Sequence, residues 1–152
     1  MHWMVKTFEQ LDLGELYHIL QRRVAVFVVE QNCAYPEVDG IDQACVHLFV
    51  KEDDKVVAYA RLIPRGVLYS TASIGRIMVD PAYRAQGYGR KLVDQAIKII
   101  TEDWKEHQIK IHAQVYLLNF YQSFGFKQIS DHYLEDGIMH VDMLFEKSKN
   151  LN

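Results

Sequence analysis

The chain has 152 residues, 49% of them hydrophobic, and a formal net charge of −3. That length builds one domain, residues 1–152, with a core large enough to fold without disulfides or a structural metal. The weak negative charge excludes a global field for nucleic acid or an anionic membrane, so any anion site has to be local.

Read from its start, MHWMVKTF (1–8) is an opening strand, and it lacks the basic segment and apolar run of a signal peptide. Leu13, Leu16, Ile19, Leu20 and Val24 then recur at three- and four-residue steps, the mark of a helix with one buried face. RRVAVFVVE (22–30) is too continuously apolar for an exposed helix face, so its end is either buried or passes into another conformation. CAYPEVDGIDQAC (33–45) has Pro36, Gly40 and three carboxylates but neither period, and reads as a loop long enough for a functional role.

Residues 46–51 and 55–65 flank a polar tip and predict an antiparallel hairpin, and 73–80 forms a third strand. From Gly89, the residues Leu92, Val93, Ala96, Ile97, Ile99 and Ile100 mark a second helix. There follow a strand at 110–115, a helix at 116–124 with Gly125 as its left-handed cap, and a strand at 126–130. A last strand, 138–146, alternates with a period of two. The order is β, α, β, β, β, α, β, α, β, β, a mixed α/β domain. Strands 73–80 and 110–115 are parallel neighbours in it, joined by a right-handed crossover. Ligands in such sheets bind beyond the carboxyl ends of the strands.

No apolar run reaches the ~20 residues of a membrane span, so a cytoplasmic protein with no membrane partner is expected. Cys33 and Cys45 form no CxxC pair, and His107 and His112 share no ligand spacing with a second Cys or His, so no metal is expected. Cys33 reads as a small buried hydrophobe rather than an acyl carrier.

The segment VDPAYRAQGYGRKLVD (79–94) ends a strand and opens a helix, with Arg84, Gly87 and Gly89 between. The first N–H groups of a helix have no partner within it, and glycines let an anion come close, so the loop fits a pyrophosphate. Ordinary turn glycines are the plainer reading, and on these residues alone both stay open. It is neither GxxxxGK[ST] nor a full GxGxxG.

RAQGYG (84–89) matches the [QR]xxGx[GA] signature of the GCN5-related N-acetyltransferases (GNAT), placed after a strand and opening a helix. NFYQSFGFK (119–127) resembles the family's second motif, in which FY and GF lie a few residues apart. The resemblance covers 73–130. The stretches 22–47 and EDGIMHVDM (135–143) resemble the ElaA-like branch.

The resemblance implies an acyl-CoA N-acyltransferase fold, a mixed central sheet of six to seven strands with flanking helices and splayed central parallel strands. It implies acetyl-CoA as cosubstrate and no metal. The implied reaction is acetyl transfer to a primary small-molecule or peptide amine by direct attack, through a tetrahedral intermediate. A non-catalytic CoA-binding or acyl-sensing module is the alternative, and a nucleotide-binding regulatory domain a third reading.

By position, the pantetheine pairs with the strand edge at Ile77, Met78 and Val79. The pyrophosphate falls to Gln86, Gly87, Tyr88, Gly89 and Arg90, with Arg84 or Lys91 balancing its charge and Asn119 completing the cofactor set. The chain departs from many members at Gln114 and Leu117, where they carry an asparagine and a small residue.

The Ile77 N–H is the implied oxyanion donor. Tyr121, with an ordinary pKa near ~10, is the implied general acid. Glu30, His47 and His140 are the candidates for the base or the substrate site, though Glu30 could instead pair with Arg22 or Arg23 and each histidine could be structural. The loop acids Glu37, Asp39 and Asp42 favour a cationic acceptor. A homodimer through exposed strand edges is the expected assembly.

Overall fold

A computed structural model describes residues 2–148; Met1, which begins the expected opening strand, and residues 149–152 lie outside it. The chain runs β1 (His2–Thr7), α1 (Leu13–Val24), β2 (Val46–Glu52), β3 (Lys55–Ile63), β4 (Ala72–Val79) and α2 (Tyr88–Lys98). It continues as β5 (Gln108–Gln114), α3 (Leu118–Gln122), β6 (Lys127–Gln128), β7 (Tyr133–Glu135) and β8 (Ile138–Glu146). The strands form one mixed sheet in the order β1-β2-β3-β4-β5-β8-β6, with β7 added on β8.

Eight strands replace the six to seven expected, and β7 is the addition. Its signal was present in the sequence. Asp136 and Gly137 both have positive φ, 51° and 76°, as the two central residues of a type I′ hairpin require. They join β7 to β8 in the register Glu135↔Ile138 and Tyr133↔His140.

Helix α1 starts at a capping box: Glu15 N–H donates to Asp12 Oδ1 at 2.7 Å, and Asp12 N–H donates to Glu15 Oε1 at 3.1 Å. Its apolar end neither stops nor becomes a strand. It widens into a π-helical turn over Ala25–Glu30, with Val26 buried and Val29 exposed. Helix α2 widens likewise over Ile99–Asp103. The expected helix at 116–124 is a 3₁₀ turn, Val115–Leu117, followed by the short α3, and Gly125 ends it at φ 100°.

The sheet has a core on each face. Ile19 and Val26 of the first helical segment pack on Phe49, Val56, Tyr59 and Met78. Leu92, Val93, Ala96 and Ile100 pack with Leu48, Leu62, Ile109 and Ile111 on the other side. No helix among the described residues is long and apolar enough to cross a membrane.

Two local features open the sheet at its centre. The expected parallel pair β4 and β5 is joined only at Ala72↔Ile109 and Ser73↔Lys110. Beyond that point the strands part. On the other side of β4, the register against β3 steps from Met78↔Tyr59 to Gly75↔Arg61, so β4 carries one extra residue. This is a β-bulge, and Arg76 within it takes φ 50°. A bulge bends and twists its strand, which turns the end of β4 away from β5.

Candidate active site

The parting of β4 and β5 opens a cleft of about 500 Å³. Ile77, Met78 and Val79 of the implied cofactor edge line it, and so do Arg84, Tyr121 and His140. Beyond Ser73, β4 has no strand partner on its β5 side. Arg84 already occupies one group of that edge, since its Nε donates to the Val79 carbonyl at 3.0 Å.

The loop after β4 is exposed from Arg84 to Gly87. Gly87 is the N-cap of α2 at φ 84°, in the left-handed region, and supplies no side-chain cap. Lys91 N–H is the first to bond back, to the Gly87 carbonyl at 3.1 Å, so the first turn keeps the outward N–H geometry of an anion cradle. A Cβ placed on Gly87 would meet no protein atom within 4 Å, but the left-handed backbone there favours glycine. Arg90 donates to Ser123 Oγ at 2.7 Å and stacks over Phe124 at 4.5 Å, so its guanidinium rests on the end of α3. Gln86 and Asn119 are exposed, while Tyr88 and Gly89 are half-buried.

Tyr121 is 7% exposed, and burial raises its pKa. Its hydroxyl has no hydrogen-bond partner among the described residues, although the ring is held edge-on by Phe120 and Phe126. A phenol in that setting stays protonated and keeps its proton available to whatever enters the cleft.

The three candidates for a base separate. Glu30 lines the cleft but forms a two-pronged ion pair with Arg84, at 2.6 and 2.8 Å, rather than with Arg22 or Arg23. Hydrogen bonding from Arg84 holds its carboxyl below the usual range, which makes it a poor proton acceptor. His47 is fully buried and does not line the cleft, which corrects its placement at the site. Its Nε2 lies 3.0 Å from the Asp42 carbonyl and its Nδ1 2.6 Å from the Tyr59 hydroxyl. A carbonyl only accepts, so Nε2 carries the hydrogen and Nδ1 accepts from Tyr59. Burial holds the ring below its ordinary pKa, as a neutral strut. Only His140 of the three remains accessible to an acceptor, through its Nε2. Its Nδ1 donates to the Ile138 carbonyl at 2.8 Å, which leaves the lone pair on Nε2.

The loop acids are also corrected. Glu37 and Asp42 are buried, and both receive Arg23, at 2.6 and 2.8 Å. Arg61 reaches Asp42 and Asp39 at 2.9 Å each, and Arg76 reaches Glu37 at 2.8 Å and Asp39 at 3.4 Å. Burial alone would raise the Asp42 carboxyl, but the hydrogen bonds and charges of Arg23 and Arg61 outweigh it and hold it low. These carboxylates fasten the 33–45 loop to the sheet and have no charge left for a substrate.

One group of residues escaped the sequence reading. His112 on β5 stacks on His140 of β8, with ring centroids 4.9 Å apart. Glu135 of β7 bonds the His112 Nε2. On the other edge of that ring lie the Tyr133 hydroxyl and Asp142 Oδ1, and Tyr133 donates to Asp142 at 2.6 Å. One ligating atom each from His112, Glu135 and His140 lies within 4.8 Å of the others, a spacing a divalent cation could use as well as an amine. His112 lies 23 residues before Glu135, and it meets the β7–β8 hairpin through the register Gln114↔His140 and Tyr133↔His140. The Asp136-Gly137 turn was the one signal that could have placed Glu135 there.

Comparison with known proteins bears on this arrangement. The profile of the acetyltransferase (GNAT) domain family matches residues 17–147. A UPF0039 protein of Schizosaccharomyces pombe is 48% identical over 148 residues, covering 96% of this chain and 97% of that one. The crystal structure of an acyl-CoA N-acyltransferase from Pseudomonas aeruginosa superposes with a TM-score of 0.91 at 37% identity, covering 95% of this chain and 98% of the other. That of Escherichia coli ElaA superposes with a TM-score of 0.89 at 37% identity, covering 96% and 100%.

Proposed function

The chain belongs to the GNAT acetyltransferase family, in its ElaA-like group, and from that premise we propose that residues 1–152 act as a single-domain N-acetyltransferase. The reaction carries an acetyl group from acetyl-CoA to a primary amine by direct attack. The observation that carries this reading is the parted β4–β5 pair, with the buried, unpartnered Tyr121 hydroxyl lining the opening. A strand edge without a neighbour can pair with the amides of a pantetheine arm. The α2 cradle, with Gly87, Gly89 and Arg90, is placed to receive a pyrophosphate.

Within this reading each group has one task. The acceptor first gives a proton to His140 Nε2 and attacks the thioester carbon as a free amine. Charge gathers on the carbonyl oxygen, facing the backbone N–H of Ile77. The C–S bond breaks, and Tyr121 gives its proton to the departing sulfur. The second proton lost by the new amide nitrogen restores Tyr121. The sum is an amide, a thiol and one proton released to solvent from His140.

Calorimetry with acetyl-CoA tests the proposal. Gly89→Val is the informative variant, because the backbone there is helical and an added Cβ meets nothing closer than Phe120 at 3.9 Å. The fold therefore tolerates it, while the cradle narrows. Wild-type binding that Gly89→Val weakens is the expected result. No binding by the wild type, or equal binding by both proteins, refutes it.

A further inference from the structure

The charged groups of the cleft can be matched one against another. Arg61 and Arg76 line it, with Arg23 close by, and the charges of these three guanidiniums are paired with those of three carboxylates, Glu37, Asp39 and Asp42. Arg84 is satisfied by Glu30. Lys110, beside the site, stands 3.8 Å from Asp142. Glu135 and Asp136 are left. Both line the cleft, and neither has a Lys or Arg partner among the described residues. Glu135 meets only the His112 ring, and the Asp136 carboxylate meets no partner among the described residues.

A second observation, independent of this charge, marks the same corner as a place for a ligand. His140 is 9% exposed and lines the cleft beside Glu135 and Asp136. Its tautomer is fixed by the Ile138 carbonyl, so the Nε2 lone pair is an acceptor, and no donor meets it among the described residues. The rest of the residue is buried, so this nitrogen is the atom His140 offers to an N–H group arriving in the cleft. Tyr35 and Tyr69 already lie under Arg76 and Lys110, while Tyr116, exposed and also in the lining, offers a ring that suits a cation better than an anion.

We propose that the acceptor is an amine carrying a second positive charge, whose reacting nitrogen meets His140 while Glu135 and Asp136 hold the other cation. This rests on the reading of the cleft as an acetyl-transfer site and names the substrate class for it. The cationic preference that the 33–45 loop suggested thus has a different origin. The loop acids are neutralised by arginines, and the unmatched charge comes from the β7–β8 hairpin.

The test uses thiol release from acetyl-CoA with three acceptors of equal length: a terminal diaminobutane, n-butylamine and aminobutanoate. Each is assayed with the wild type, Glu135→Gln and Asp136→Asn. Acetyl-CoA affinity, measured by calorimetry, confirms that each variant is folded. Asparagine tolerates the positive φ at position 136, and glutamine keeps the size of Glu135. The expected kcat/KM order is diamine over monoamine over amino acid, with a diamine-to-monoamine ratio of roughly fivefold, the upper reach of a partly exposed charge pair. Each variant shrinks that ratio, and EDTA leaves it unchanged.

Equal rates with the three acceptors, a preference for aminobutanoate, or a ratio untouched in both variants overturns the inference and leaves acetyl transfer standing. A ratio that EDTA abolishes overturns it too, by assigning the corner to a divalent cation at His112, Glu135 and His140. No thiol release with any acceptor, while acetyl-CoA still binds, refutes acetyl transfer itself and this inference with it.

Discussion

Two clusters of opposite charges lie on the two sides of the cleft, and they behave as different materials. Along one part of its wall, Arg61 and Arg76, with Arg23, interlock with Glu37, Asp39 and Asp42, each charge touching two of the other sign. At the mouth, His112, His140 and Glu135 stand with Asp136 around an acceptor nitrogen that nothing among the described residues satisfies. The first cluster is matched, and Arg23, Arg61, Glu37 and Asp42 in it are buried, so removing one of these leaves its partners as uncompensated buried charge. The second has no Lys or Arg partner among the described residues and lines the cleft, so the Asp136 carboxylate and His140 Nε2 are left to meet a ligand. Charge count in a sequence does not separate scaffold from site; the completeness of the pairing does.

The sharpest way to test that contrast is to remove one member of the buried lattice. Asp42→Ala leaves Arg23 and Arg61 without a shared partner and should cost about 3–5 kcal/mol in urea unfolding. A cost near zero would erase the distinction. Next in size, His140→Gln should lower kcat/KM about 100-fold, within the range of a lost general base, with acetyl-CoA affinity kept.

A smaller effect follows from His47, inside the lattice. Its folded pKa is depressed by burial, so the unfolded chain takes up its proton first as the pH falls. The stability it contributes is complete above its ordinary pKa of about 6.5 and declines below that, by up to about 1.4 kcal/mol per pH unit. Urea midpoints across this window should fall with acidification in the wild type and more gently in His47→Gln. The smallest effect belongs to the mouth. Glu135→Gln, with a side chain 49% exposed, should leave stability within about 0.5 kcal/mol while it alters acceptor preference.

How much of this was legible in the sequence depends on whether the information is local. RAQGYG and NFYQSFGFK each sit on one strand–helix or helix–strand junction, so the cradle, the parallel pair and Tyr121 could be read from short stretches. His112 could not. Its meaning comes from Tyr133, Glu135, His140 and Asp142, which reach it only after β5 and β7 have both paired with β8. Ligand spacing along the chain is blind to such cross-strand neighbours. Asp42 and Arg61 were hidden for the same reason. An acid in a loop and a base in a strand look like two solvated charges until the loop folds over the sheet and shuts water out. The π-helical end of α1 had no signal beyond a run of apolar and β-branched residues, which suits a strand as well as a buried helix.

The Asp136-Gly137 turn has a consequence for how this molecule could change its diet. The cradle and the thioester edge belong to β4 and α2, while the two spare carboxylates ride on a hairpin closed by two residues. The turn itself keeps to residues that accept positive φ, but position 136 can trade its carboxylate for an amide, and position 135 can take any charge, without moving the strands that flank them. If the cleft transfers acetyl groups as proposed, taste and machinery are inherited separately: an exchange at position 135 or 136 would redirect the protein to another amine, and the grip on its acyl donor would pass unaltered to the descendant.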